Sequence, residues 1–184
     1  MISLPFHRQT QDPMVARLYG TIVAQARSPS FYADYGVPDT VAGRLDMIIL
    51  HLVLVLRRFG RGPQTLQALG QEVFNLFCSD IDHNFREMGV GDLSVPKAMR
   101  RVGEAYYGRA AVYEAALAEG DGVLAQALTR NVFSAPSDGA RRLAAYVQRC
   151  VADLASQDGF SMGELHFPNP ARIALVQFAN GVKA

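Results

Sequence analysis

Residues 80–95 read DIDHNFREMGVGDLSV and concentrate the residue types that carry chemistry in proteins. Two carboxylates and an imidazole, Asp80, Asp82 and His83, fall within four residues, and Asp92 follows in a glycine-containing turn. Such a stretch can ligate a metal ion, bind a phosphate at a helix N-terminus, or present charges to another protein. The rest of the chain has to decide among these three chemistries.

A metal site in this stretch would have too few ligands. Asp80 and His83 have the i, i+3 spacing that would let them share an ion, but stable sites use three or four ligands. The histidines are dispersed, at positions 7, 51, 83 and 166, and there is neither an HExxH sequence nor a second Asp-x-x-His or Glu-x-x-His pair. We therefore predict no metal and no cofactor, and a metal-dependent enzyme that uses Asp80 and His83 is kept only as an alternative hypothesis.

The surrounding sequence argues against both a phosphate-binding loop and a nucleophilic catalytic site. GVGDLS lacks a third glycine, follows a helical pattern rather than a strand, and places Asp92 where an anion would bind. Gly89 is instead expected to end one helix in a left-handed conformation, and Asp92 or Ser94 to cap the next. The chain has no GxSxG motif, and no activating motif accompanies its two cysteines. We predict no catalytic residue.

Composition indicates an ordinary globular domain. The 184 residues have a formal net charge of +1, which gives no strong field for nucleic acid, and we predict no direct nucleic-acid reading. Two cysteines suit a reducing compartment. The N-terminus lacks the apolar core of a signal peptide, and LDMIILHLVLVL is too short and too polar for a membrane span.

Helix signals recur along the whole chain, where capping residues or early-turn prolines precede periodic apolar runs. We predict an all-α fold, a single compact domain over residues 1–184 with about six to seven helices. An irregular tail with a short element follows the last helix. The predicted helices span 13–27, 40–59, 63–88, 95–118, 121–132 and 138–156.

Polar residues interrupt two of these helices. Arg44, His51 and Arg58 repeat every seven residues on the otherwise apolar second helix, as either a solvent-facing edge or a basic groove with a pH-sensitive centre. On the third helix, Leu66, Leu69, Val73, Leu76, Phe77, Ile81, Phe85 and Met88 form an apolar face. Asp82 and Arg86 pair on the opposite side. Asp80, His83 and Asn84 lean towards the apolar face, which predicts that this end of the helix leaves the core, that they form an internal polar cluster, or that they contact a partner.

The fourth predicted helix has a basic side. It is expected to bury Val95, Met99, Val102, Tyr106, Tyr113 and Leu117, and its other side carries Lys97, Arg100, Arg101 and Glu104. Such a face is either simply solvated or an interaction site, since arginine and tyrosine are enriched in protein interfaces.

Several motifs in residues 31–133 together resemble the ubiquinol–cytochrome c chaperone family. They are YGVPDT (35–40) followed by Gly43 and Arg44, the DxD and REMGVGD block (80–92), Lys97, and YYGR (106–109). No such resemblance is evident before residue 31 or in the C-terminal helix and tail, 134–184. The resemblance implies a helical, non-enzymatic assembly factor that binds newly made cytochrome b and promotes biogenesis of respiratory complex III.

The resemblance also suggests where the client binds and where the protein works. The expected partners are cytochrome b and, in addition, a ribosome or a small partner subunit, with peripheral membrane contact. The expected location is the cytoplasmic side of a bacterial inner membrane. The alternative is a helical small-molecule or lipid-binding module, motivated by His51, Asp80 and His83. The candidate client-binding residues are Tyr35, Asp39, Arg44, Asp80, Asp82, Arg86, Gly89, Gly91, Asp92, Lys97, Arg101, Tyr106, Tyr107 and Arg109.

Overall fold

The computed structural model describes residues 12–133, 135 and 137–173, and every regular element in these ranges is helical. A π-helical turn, Thr129–Phe133, precedes the last α-helix, and a 3₁₀ turn, Gly159–Met162, follows it. The expected all-α domain is confirmed. The α-helices are α1 Pro13–Ala26, α2 Pro29–Ala33, α3 Val41–Gly60, α4 Gln64–Glu87, α5 Val95–Glu119, α6 Asp121–Leu128 and α7 Asp138–Ala155.

Side-chain caps fix the starts of three helices. The Asp12 carboxylate accepts the Met14 amide at 2.8 Å, and the Thr40 hydroxyl accepts the Gly43 amide at 3.0 Å. A hydroxyl cap of the same kind starts α7 at Ser137. These bonds satisfy amides that a helix leaves unpaired at its first turn. The predicted helix starts therefore lie within one residue of the observed ones.

Two elements differ from the sequence prediction. The Ser28–Pro29 start signal produces a separate short helix, α2, that the six predicted ranges do not contain. The predicted helix 121–132 ends as α-helix at Leu128 and continues as the π-helical turn. Widening of the last turn still carries Val132 and Phe133 into the core, where both are buried.

Helix α3 forms the centre of the fold. Every residue from Met47 to Val55 is buried, and the helix contacts α1, α4, α5, α7 and the π-helical turn. A helix that is apolar on nearly all sides can satisfy its surface only by being surrounded, which is the arrangement observed. None of the helices in the described ranges is long and apolar enough to cross a membrane.

The predicted stripe of Arg44, His51 and Arg58 is wrong in both of its readings. His51 has no exposed surface, and its ring nitrogens bond to Met47 O at 2.8 Å and to the Tyr146 hydroxyl at 2.9 Å. Arg58 donates to Leu154 O and Gln157 O at 3.1 Å each, at the end of α7. Because His51 lies inside the core and Arg58 bonds to the end of α7, the stripe forms neither a solvent-facing edge nor a groove.

The segment after the 3₁₀ turn is irregular, as predicted, and is bonded to the core. Residues 164–169 have no regular structure, and residues 170–173 are helical. Gln25 donates to Pro168 O at 3.1 Å, and Tyr35 donates to Pro170 O at 2.8 Å. The rest of the predicted tail lies outside the described residues.

Candidate interaction surface

A tight turn joins α4 to α5 at the centre of the 80–95 stretch. Gly89 has a φ of +80°, its amide bonds to Arg86 O, and the Val90 amide bonds to Phe85 O, both at 3.0 Å. This pair of bonds with a left-handed glycine is a Schellman motif. The predicted role of Gly89 is confirmed, whereas Gly91 has no positive φ.

The side chain of Arg86 links the two ends of the turn by ion pairs. The Arg86 guanidinium lies 2.8 Å from an Asp82 oxygen and 2.5 Å from an Asp92 oxygen. The predicted pairing of Asp82 with Arg86 is therefore confirmed, but the predicted capping of α5 is wrong. The Asp92 carboxylate forms an ion pair with Arg86. Ser94 has helical rather than extended backbone angles, and its side chain makes no capping bond. The Ser94 amide bonds instead to Gly91 O at 2.7 Å.

The polar group that leans towards the apolar face of α4 is divided. Asp80 accepts a hydrogen bond of 2.7 Å from the Tyr19 hydroxyl, and the Asn84 amide donates to the Asp80 backbone carbonyl at 2.6 Å. His83 is 70% exposed and lies 3.1 Å from Glu87. The partly buried Tyr19–Asp80 bond thus ties α4 to α1, Asn84 bonds within α4, and His83 faces solvent. Within the described ranges, no three potential ligands come together to hold a metal ion.

Large apolar side chains are exposed at this corner. Leu93 is 98% exposed and Met88 is 57% exposed. The prediction that Met88 belongs to the buried face of α4 is wrong, because the helix ends at Glu87 and the chain turns away at the next residues. The corner therefore exposes apolar side chains beside the charged residues Asp82, Arg86 and Asp92.

The first half of α5 carries the predicted basic side, here called the outer basic face and defined by Lys97, Arg100 and Arg101. All three residues are exposed. Arg100 lies 3.5 Å from Glu104, but in the part of the chain that the structure describes Lys97 and Arg101 have no acidic partner within 4 Å. This leaves two positive charges uncompensated at the surface, which favours a partner with negative charge.

A second surface lies between α3, α4 and α5. Phe74 contacts Tyr106 with ring centroids 4.7 Å apart and ring planes tilted by 48°, and Tyr106 contacts Tyr107 with centroids 5.1 Å apart. Two open depressions, of about 250 Å³ and about 350 Å³, adjoin here and are both lined by Leu56 and Tyr106. We call this surface the aromatic groove, defined by Leu56, Phe74, Tyr106 and Tyr107. Sequence reasoning included the two tyrosines and missed Leu56 and Phe74, because their partial exposure depends on how three helices meet.

The remaining predicted site residues are apart from these surfaces or internal. Tyr35 is buried, with its hydroxyl bonded inside the core. Asp39 and Arg44 form an exposed pair at 2.7 Å, and the hydrogen bond from Arg44 lowers the pKa of Asp39. Arg109 lies 2.7 Å from Asp46, with both side chains less than one-fifth exposed. Arg44 and Arg109 therefore pair with Asp39 and Asp46, and neither pairs with Asp80 or Asp92.

The matching helical fold and motif positions agree with comparisons to known proteins. A model of the ubiquinol-cytochrome C chaperone family matches residues 33–167, most of the chain. The chain belongs to the ubiquinol-cytochrome C chaperone family. The match continues past residue 133, where the motifs evident in the sequence end, and it includes α7 and the segment behind it.

Two relatives support this assignment. The chain is 24% identical over 146 residues to the Xenopus laevis ubiquinol-cytochrome-c reductase complex assembly factor 1, which covers 78% of this chain and 73% of the relative. It is similar in structure to the crystal structure of the Cbp3 homolog from Brucella abortus, with a TM-score of 0.81 and 38% sequence identity. That similarity covers 88% of this chain and 92% of the other.

Proposed function

We propose that the protein is a non-enzymatic assembly chaperone of ubiquinol–cytochrome c reductase that binds newly made cytochrome b. The observation that carries this proposal is the family match over residues 33–167, to which the relatives add a complex assembly factor and a Cbp3 homolog. A client with unassembled membrane helices exposes apolar surface. A chaperone has to cover part of that surface without exposing its own core. Exposed leucine, methionine and tyrosine beside uncompensated cations suit this task.

The candidate residues fall into those that contact the client and those that hold the binding surface or the fold in place. We assign client contact to Lys97, Arg101 and Tyr107, which are exposed and make no ion pair. The second group holds the surface in place: Arg86 binds Asp82 and Asp92, and Gly89 turns the chain. The residues assigned to architecture are Tyr35, Asp80, Tyr106 and Arg109, which are buried or bonded within the fold.

The proposed function implies a cellular location for the protein. The protein acts at the cytoplasmic side of the inner membrane of a bacterium, as a peripheral factor, where the client enters the bilayer. Its similarity to the Brucella abortus protein supports a bacterial setting. A ribosome or a small partner subunit is a further proposed contact, which a cross-linking experiment in native cells would identify.

The alternative of a small-molecule or lipid-binding module has less support than the chaperone, because the depressions described in the structure are open to solvent rather than enclosed. Both nitrogens of His51 bond inside the core, and Asp80 binds Tyr19. Asp80 and His83 line a depression of about 690 Å³ between α1 and α4, and this depression is open to solvent, as is the one of about 940 Å³ between α6 and α7.

Gene deletion tests the proposed function. The expected result is a selective loss of complex III and of its b-type haem absorbance, with the other respiratory complexes unchanged. Complementation with the unaltered gene should restore both signals. Normal complex III in the deletion strain would overturn the proposal.

A further inference from the structure

The aromatic groove offers apolar surface that the described fold does not cover. Tyr107 is 66% exposed, and its ring centroid is 6.1 Å from that of Phe74. Leu56 and Phe74 are only partly buried, and the two depressions share Leu56 and Tyr106 as lining residues. Tyr106 is only 9% exposed, so Tyr107 supplies the exposed aromatic ring of the groove, and tyrosine is enriched among the residues that dominate binding energy in protein interfaces.

Charge at one end of the groove is unbalanced. Arg57 and Arg61 both bind the Glu114 carboxylate, so two guanidinium groups share a single negative charge. Among the described residues that line the two depressions, Glu114 is the one acid, and the other depression is lined by the neutral amides of Gln67 and Gln71. Arg61 is 57% exposed, so part of its guanidinium still faces solvent. A further carboxylate is therefore favoured at this end.

The backbone chemistry of the groove selects a helix as its occupant. The described elements around it are α-helices, which present no open sheet edge to pair with an extended segment. An incoming segment has to satisfy its own backbone hydrogen bonds, as an α-helix does. We propose that the aromatic groove binds an amphipathic α-helix whose apolar stripe is bordered by a carboxylate that pairs with Arg61. Only the identification of this helix as part of the client rests on the proposed function.

Two synthetic helical peptides test the proposal. They share one leucine and alanine stripe, and they differ in having glutamate or lysine at the positions that border it. Binding to the full chain is measured by fluorescence anisotropy at low salt. The unaltered protein is expected to bind the glutamate peptide about tenfold more tightly than the lysine peptide.

Variants of the groove give the sharper result. Arg61→Glu is expected to reverse the preference between the two peptides, and Tyr107→Ser to weaken both about tenfold. Arg141→Glu and Met162→Ser are matched controls, because Arg141 and Met162 are exposed and lie outside the groove. Circular dichroism and urea unfolding verify that each variant is folded. Because a structural defect would weaken both peptides alike, only a direct contact reverses the preference.

Several outcomes would overturn the inference. They are equal binding of the two peptides, an unchanged preference in Arg61→Glu, and unchanged binding in Tyr107→Ser. A concentration-dependent dimer that Tyr107→Ser abolishes would assign the groove to a second copy of the chain. Binding of anionic phospholipid vesicles that Tyr107→Ser abolishes would assign it to a membrane, and both results would also overturn the inference. Failure here leaves the gene-deletion result intact, so the two proposals fail separately.

Discussion

The Tyr146 hydroxyl lies 2.9 Å from Nε2 of His51 and joins α7 to α3 inside the core. The Nδ1 atom of His51 faces Met47 O, which can only accept, so Nδ1 carries the proton and Nε2 accepts from Tyr146. Gln25 on α1 then donates to the Tyr146 oxygen at 2.9 Å. The chain of bonds connects three helices around an imidazole that burial keeps neutral at neutral pH, since its pKa is lowered to about 4.

Stability should therefore depend on pH through His51. Burial lowers the pKa of His51 to about 4, against a usual value of 6.5, although the Met47 bond opposes this shift. The unfolded chain binds a proton between these values and the folded chain does not, so stability is full above pH 6.5 and falls as pH drops towards 4. We expect the free energy of unfolding to fall by about 2 kcal/mol between about pH 7.5 and about pH 5 through this residue.

Urea unfolding at several pH values measures this effect. His51→Gln should remove that part of the dependence and keep the contribution of the carboxylates. His83→Gln is the control, because His83 is 70% exposed and outside the core, and it should retain the pH dependence of the unaltered protein. Parallel curves for His51→Gln and the unaltered protein would contradict the argument.

The Asp46–Arg109 pair should be worth more than the Asp39–Arg44 pair of the same length. Both measure 2.7 Å, but the first is less than one-fifth exposed and the second more than half. Arg109→Met leaves the Asp46 carboxylate without its partner, and we expect the free energy of unfolding to fall by about 2–4 kcal/mol. Arg44→Met should have a much smaller effect, because water screens the exposed Asp39–Arg44 pair.

Two measurements separate this pair from simple packing. Burial already raises the pKa of Asp46, so the cost of Arg109→Met should shrink at acidic pH, where the unpaired carboxyl is protonated. Adding Asp46→Leu to Arg109→Met should recover most of the lost stability, because no buried charge is then left. A double variant no more stable than Arg109→Met would show that the charge is irrelevant.

The helices could be predicted because their signals are local. Thr40 and Ser137 are capping residues whose bonds reach only a few residues along the chain. The environment of His51 could not be predicted, because Tyr146 lies 95 residues away and depends on how α7 packs. Arg109 was placed in a motif, but its partner Asp46 is 63 residues distant. The apolar groove residue Phe74 likewise shows its exposure only when three helices are assembled.

Two glycines in the turn between α4 and α5 should respond differently to alanine. Gly89 has a left-handed φ of +80°, which costs a residue with a Cβ atom about 1–2 kcal/mol, so Gly89→Ala should lower the free energy of unfolding by this amount. Gly91 has no positive φ, and nothing lies within 4 Å of an added Cβ. Gly91→Ala should change stability by less than about 0.5 kcal/mol. Equal urea midpoints for the two variants would refute this assignment.

The outer basic face should contribute to client capture through charge. Lys97 and Arg101 are exposed and without an acidic partner in the described structure, so reversing both to glutamate removes no internal contact. We expect Lys97→Glu with Arg101→Glu to reduce co-purification of cytochrome b about tenfold, with unchanged unfolding, and the loss should shrink at high salt. Reversal of Arg141 and Arg149 on α7, both also exposed, is the matched control. Normal recovery of cytochrome b with the first pair would exclude this face and leave the aromatic groove, which lies on another side of α5, as the surface to test.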